Sequence, residues 1–190
     1  MKKNLMISVR MTLATTVLLG IAYPLVVTGL AQLFFKDKAN GQLIAQNGKV
    51  VGSRIIGQTF VGPGYFHSRP SAAGNGYDAT NSNGSQLGPT NQRLIDRVNA
   101  SVAGNQADNP GQLLPVDLVT ASASGLDPDI SPAAAEFQIS RVARERRVPE
   151  EDVRRLVRVH TRARQWGLLG EPRVNVLELN LGLDALTRRP

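Results

Sequence analysis

Residues 11–35 read MTLATTVLLGIAYPLVVTGLAQLFF and contain no charged side chain. As a helix these 25 residues rise about 37 Å, against a hydrocarbon core of roughly 30 Å. Such a stretch crosses a bilayer once, tilted or with its ends among the headgroups. A cleaved signal peptide carries a shorter apolar region of about 7–15 residues that closes on small side chains. Here the run ends in Leu33, Phe34 and Phe35, an apolar and aromatic close suited to a membrane interface. The reading is a retained anchor.

The flanks set its direction. Lys2, Lys3 and Arg10 precede the span without an acid among them, whereas Lys36, Asp37 and Lys38 follow it with a net charge of +1. The positive-inside bias then keeps residues 1–10 in the cytoplasm and exports residues 36–190. Cysteine is absent, so the exported part has no disulfide or thiolate metal site and holds together by its core alone. Its length suits one domain.

The span also carries Thr12, Thr16, Gly20, Pro24 and Thr28 at every fourth position. Small residues at this spacing let a second helix approach closely. Thr16, Gly20 and Pro24 are the expected packing positions, and Pro24, which has no backbone donor, is expected to kink the helix.

Beyond the span the composition is polar and rich in glycine. The chain's net charge of +7 falls to +4 outside the membrane, 19 basic against 15 acidic residues. Nine of the arginines lie between Arg141 and Arg164. No aromatic residue is interleaved among them, so a stacking platform for nucleic acid is not expected.

A coarse pass gives an α+β domain with long loops. Leu43–Ala45 and Lys49–Val51 flank Asn47-Gly48, a hairpin signal. Residues 55–60 read as a further short strand. Residues 62–91 are rich in Gly, Ser, Asn and Pro, yet Tyr65, Phe66 and Tyr77 argue for order. Leu94, Ile95, Val98 and Val102 mark a helical face. Ser131-Pro132 reads as an N-cap and first helical residue of a helix to about Arg146. A third helix starts after Pro149, with Val153, Leu156, Val157 and His160 on one face and Gly167 as its expected stop. Residues 174–183 read as a strand.

No active site emerges. The two histidines, His67 and His160, lie far apart in sequence and, without cysteine, offer little for a metal. His160 reads as a packed residue of a helix face. His67 sits near Ser68 and Ser71, but a nucleophile needs a base within hydrogen-bond reach, which sequence does not show. Asp127 and Asp129 suit turns and caps. No Gly-Lys-Ser/Thr follows the glycines at 57, 62 and 64, so no phosphate loop is present.

Two segments carry a resemblance. Residues 64–72, GYFHSRPSA, with Gly88-Pro89-Thr90-Asn91, and residues 119–128, VTASASGLDP, with Ile130-Ser131-Pro132, Ala134-Ala135, Gln138, Arg141 and Val142, resemble the C subunit of bacterial Kdp-type potassium-transporting ATPases. Residues 174–180, VNVLELN, are similar to that family's closing segment. The likeness covers nearly the whole chain. Where the family's loop usually reads Ser-Gly-Gly-Ser-Asn, this chain has Asn83-Gly84-Ser85-Gln86.

The resemblance implies an accessory subunit of a single-pass inner-membrane complex. Its partners would be a channel-like subunit that binds potassium, a P-type ATPase that hydrolyses ATP, and a very small peptide subunit. It also implies a role in assembly and activity, and a proposed role as a catalytic chaperone raising ATP affinity, with Gly125 and Gln138 as nucleotide contacts. No cofactor is expected on this chain itself, and the topology sets both residues opposite the cytoplasmic ATP. Two readings follow for the exported domain. Asp78, Asp127 or Asp129 could attract potassium at a channel mouth, or Tyr65, Phe66 and Tyr77 could clamp a partner; the clamp is preferred. A free-standing membrane-anchored enzyme or binding module is the alternative.

Overall fold

In the computed structural model, which describes residues 2–187, the apolar stretch lies within one helical run, Lys2–Phe34. The run comprises helix α1 (Lys2–Thr15), a π-helical segment (Thr16–Ala22) and helix α2 (Tyr23–Phe34). None of its residues is buried. At 33 residues it is long and apolar enough to cross a membrane, as the sequence predicts, and helical structure extends back through the charged start at Lys2. Pro24 explains the π segment. In an α-helix its ring would press on the carbonyl four residues back and leave that carbonyl without a donor. The wider turns before it relieve this crowding, and the Tyr23 N–H reaches back five residues to the Leu18 carbonyl.

The chain divides between Val51 and Gly52 into two compact units. The first continues with the short helix α3 (Lys36–Ala39) and strand β1 (Leu43–Gln46), which pairs with β2 (Lys49–Ser53) in a two-stranded sheet. Asn47 and Gly48 sit at φ 51° and 75°, the left-handed pair that a tight hairpin turn requires.

The second unit departs from the sequence reading in three places. Residues 55–60 form no strand; Ser53 and Ile56 make an isolated bridge, and the Gly57 N–H donates instead to the Leu126 carbonyl at 2.8 Å. Helix α4 (Gln92–Asp108), capped by the Asn91 side chain, and helix α5 (Pro132–Arg146) follow the expected pattern. Between them lies strand β3 (Asp129–Ile130). Helix α6 (Glu150–His160) stops seven residues before Gly167, because Thr161–Arg162 (β4) leaves to pair with β5 (Arg173–Asn175). The resulting sheet is antiparallel in the order β3-β5-β4.

The third departure is the closing segment. Only residues 173–175 are strand; Val176–Thr187 form helix α7. Val176, Leu179, Asn180 and Leu183 are its buried positions together with Leu177, a helical spacing that the alternation of leucines with Glu178 and Asn180 disguised. Asn175 Oδ1 accepts the Glu178 N–H at 3.1 Å and starts the helix as an N-cap.

Helices α5, α6 and α7 pack with β5 around a core that includes Phe137, Ile139, Val142, Val153, Val157 and Leu179. Ser131 caps α5 by accepting the Ala134 N–H at 3.0 Å, and Asp117 in turn accepts both the Ser131 N–H and its hydroxyl. The second unit is therefore a mixed helix-and-strand domain with a small sheet.

Candidate functional site

Two helices present polar faces to the loop 62–78. On α5, Ala134, Gln138 and Arg141 lie one turn apart; on α7, so do Asn180 and Asp184. The loop runs between them with Phe66 fully buried in the core. The buried backbone groups of this part-buried loop have no sheet partners, so side chains must supply them.

They do so residue by residue. Asn180 accepts the Phe66 N–H and donates to the Phe66 carbonyl. Gln138 Oε1 accepts the His67 N–H at 2.7 Å and an Arg141 N–H at 2.8 Å; its Nε2 donates to the His67 and Ala134 carbonyls at 3.1 and 3.2 Å. Gln138 is 3% exposed, and both acceptor positions and both donor hydrogens of its amide are engaged. Arg141 donates to the Pro63 and Tyr65 carbonyls and pairs with Asp108 at 3.2 Å. Burial lowers its pKa from the usual guanidinium value, more than Asp108 and Glu145 raise it. Arg146 donates to the Gly64 carbonyl at 2.7 Å and pairs with Asp184 at 2.8 Å. Its guanidinium also lies 4.3 Å from the centre of the Tyr65 ring, a cation–π contact.

The second half of the loop is held by segment 119–128. Ser71 donates to the Gly125 carbonyl at 2.6 Å and accepts the Ala73 and Tyr77 N–H groups. Tyr77 donates its hydroxyl to the Arg69 carbonyl at 2.6 Å, and burial raises its pKa. Gly125 stands at φ 67°, and a Cβ there would lie 2.6 Å from the Asn83 carbonyl oxygen and 2.7 Å from the Ala73 nitrogen. Its glycine identity is thus accounted for by backbone conformation and close packing.

Two shallow clefts open beside this loop. One, of about 290 Å³, gathers Arg69, Asp117, Asp127, Asp129, Ser131 and Arg173. Two of its carboxylates are paired with arginines, Asp127 with Arg69 at 3.0 Å and Asp129 with Arg173 at 3.0 Å, while Asp117 accepts from Ser131. Burial raises the Asp129 pKa against the opposing pull of Asn175 and Arg173. The other, of about 420 Å³, is lined by residues that include Phe60, His67, Ser71 and Tyr77.

Neither cleft assembles a recognisable catalytic group. His67 Nε2 is 3.0 Å from the Gly62 carbonyl, while Ser68 and Ser71 donate to the Gln58 and Gly125 carbonyls. Burial and the nearby Arg141 lower the His67 pKa below its ordinary 6.5. His160 caps its own helix face, Nδ1 2.9 Å from the Leu156 carbonyl. Among the described residues no group of three or more His, Cys, Asp or Glu side chains is placed to hold a metal ion.

The residues singled out from sequence fall into two sets. Thr16, Gly20 and Pro24 are exposed on the N-terminal helix. Tyr65 and Tyr77 are half-buried and Phe66 is wholly enclosed, so Phe66 fastens the loop from inside and offers no surface. Gly125 lies under Ala73 and Asn83, and Gln138 under His67. Asn180 and Arg141 entered the sequence reading as part of the family resemblance and Arg146 as a helix end; none was read as holding the loop. The one available signal was an amide set in the apolar run 174–183.

A family model described as K+-transporting ATPase, c chain (KdpC), matches residues 5–185. The chain is 65% identical over 190 residues to the potassium-transporting ATPase KdpC subunit of Koribacter versatilis, covering 100% of this chain and 98% of that one. It is 58% identical over 183 residues to the subunit of the same name from Acidobacterium capsulatum, covering 96% and 98%. With that of Caulobacter vibrioides it shares 58% identity over 171 residues, 90% of this chain and 87% of the other. The matches span both the apolar helix and the loop-bearing domain, and the chain belongs to the KdpC family of potassium-transporting ATPase subunits.

Proposed function

We propose that this chain is a non-catalytic accessory subunit that holds a potassium-importing complex together. ATP hydrolysis and potassium binding fall to partners: a P-type ATPase subunit and a channel-like subunit, completed by a small peptide subunit. The N-terminus lies in the cytoplasm and the domain from residue 36 onward on the outer face, in keeping with the charge bias across residues 11–35.

The observation that carries this reading is the apolar helical run Lys2–Phe34, none of whose residues is buried. Its apolar surface is left for lipid and neighbouring helices, with Thr16, Gly20 and Pro24 at the closest approach. The outer domain acts as a clamp. Tyr65 and Tyr77 keep part of their surface exposed, on a loop held by Gln138, Arg141, Arg146 and Asn180.

Two alternatives fit the geometry less well. A nucleotide held by Gln138 would compete with four hydrogen bonds the amide already makes. Of the carboxylates named for a potassium lure, Asp127 and Asp129 are already matched by Arg69 and Arg173, and Asp78 is bonded to Thr80.

The test is to tag the C-terminus, grow cells at very low potassium, extract in mild detergent and identify what co-purifies. A P-type ATPase and a channel-like subunit are expected. Recovery of the chain alone, with those partners made and intact, overturns the reading.

A further inference from the structure

Pro24 removes one backbone donor from the helical run, so one carbonyl goes without a partner inside it. The register of the π segment shows which. In a regular α-helix the unserved carbonyl would be that of Gly20, four residues before the proline. Here the Tyr23 N–H passes over Leu19 and donates to the Leu18 carbonyl, five residues back. In that register the Leu19 carbonyl falls to the N–H of residue 24, and residue 24 is proline. Leu19 therefore has a donor in neither register.

The span's own side chains do not make up the loss. A hydroxyl three or four residues further on folds back onto such a carbonyl, as Thr15 does onto Thr12 and Met11. The residues at those positions beyond Leu19 are Ala22 and Tyr23. Alanine has no donor, and the tyrosine hydroxyl stands at the end of a rigid ring, out of reach of its own helix backbone. Depth makes the loss serious. Leu19 lies four residues from Tyr23, the midpoint of residues 11–35, or about 6 Å along the axis. That is well within the roughly 15 Å from midplane to headgroups, where a bare carbonyl is heavily disfavoured.

We infer that the Leu19 carbonyl accepts a hydrogen bond from a polar side chain (a hydroxyl, amide or indole) on a transmembrane helix of another subunit of the complex. This rests on the accessory-subunit reading above and names the polar contact through which the span docks. The occupant follows from what the surroundings lack. Acyl chains carry no donor, and water reaches this depth only in a cavity lined by protein. A neighbouring helix brings a donor to the right level, and such bonds are a recognised source of helix association in membranes. Gly20, next in the chain, and Ala22, one turn on, place little side chain in the way of its approach.

The experiment uses the complete complex in native membranes. Tyr23→p-benzoylphenylalanine places an aromatic photoprobe one turn above Leu19. Ultraviolet light is expected to cross-link it to a transmembrane segment of another subunit that carries a donor side chain at that level. Cross-links confined to lipid, to a second copy of this chain, or to a segment without a donor there overturn the inference. The second arm replaces that donor with alanine, once against the unaltered chain and once against Pro24→Ala. An alanine at 24 gives Leu19 a donor in either register: its own N–H if the π turns persist, the Tyr23 N–H if the α-helix returns. Loss of the partner's donor should therefore lower recovery of the complex about three- to tenfold with Pro24, and leave it unchanged with Pro24→Ala. An equal loss in both backgrounds, or none in either, overturns the inference while the accessory-subunit reading stands. If the unaltered chain retains no partner, that reading itself fails, and the inference with it.

Discussion

Asn180 closes both backbone hydrogen bonds of Phe66: its Oδ1 accepts the Phe66 N–H at 2.9 Å, and its Nδ2 donates to the Phe66 carbonyl at 3.0 Å. One residue further on, Gln138 does the same for His67. Two helix-borne amides thus stand where neighbouring strands would, and they fix the loop between α5 and α7.

Replacing Asn180 with Leu keeps the volume close and strips Phe66 of both partners. A buried unpaired backbone group costs about 1–3 kcal/mol, and here there are two. The melting temperature of the full chain in mild detergent should fall by roughly 10 °C. An unchanged melting temperature would mean that the loop does not depend on this amide.

Gln138→Leu separates a structural role from a ligand role. The variant loses the acceptor for the His67 N–H and for Arg141, and the donors to His67 and Ala134. A melting-temperature drop comparable to that of Asn180→Leu is expected, of the same size with and without ATP. A rise on adding ATP to the unaltered chain, absent in the variant, would assign Gln138 to nucleotide.

Much of this architecture is legible in the residues, because some signals are local. The uncharged run 11–35, Asn47-Gly48 and Ser131-Pro132 each act within a few residues, and each appears as read. The closing segment is misread because Leu177, Leu179, Leu181 and Leu183 alternate like a strand, whereas burial follows Val176, Leu179, Asn180 and Leu183. Likewise the end of α6 is set by pairing with β5, eleven residues beyond Arg162, and not by Gly167. The loop clamp is least legible of all. Asn180 and Phe66 are 114 residues apart, and no periodicity links an amide on one helix to a peptide group in a loop.

Gly125→Ala tests the segment on which the loop rests. The substitution puts a side chain at φ 67° and drives its Cβ into the Asn83 carbonyl and the Ala73 nitrogen. The left-handed conformation alone costs roughly 1–2 kcal/mol, and the backbone contacts cannot yield as a flexible side chain would. The expected result is a clear loss of thermal stability, with faster protease cleavage within residues 71–86. Gly88→Ala, where an added Cβ meets nothing within 4 Å, should leave both unaffected.

His67 gives the domain a pH dependence whose sign follows from its surroundings. Burial and the positive charge of Arg141 lower its folded pKa below 6.5, against weaker opposing pulls from the Gly62 carbonyl and Asp108. Between the folded and unfolded values the unfolded chain binds more protons, so stability increases with pH there. The contribution is complete above the unfolded value and is lost as pH falls through the window toward the folded one. His67→Gln offers a donor to Gly62 without titrating. Cooling of the melting transition from about pH 7 to about pH 5 should therefore be larger in the unaltered chain than in the variant. Asp129 acts in the opposite sense, since burial raises its pKa above 3.8 and protonation relieves the buried charge. Both chains carry Asp129, so the difference between them at each pH isolates His67. Parallel pH profiles would show that the folded domain leaves the proton affinity of His67 as it is in the unfolded chain.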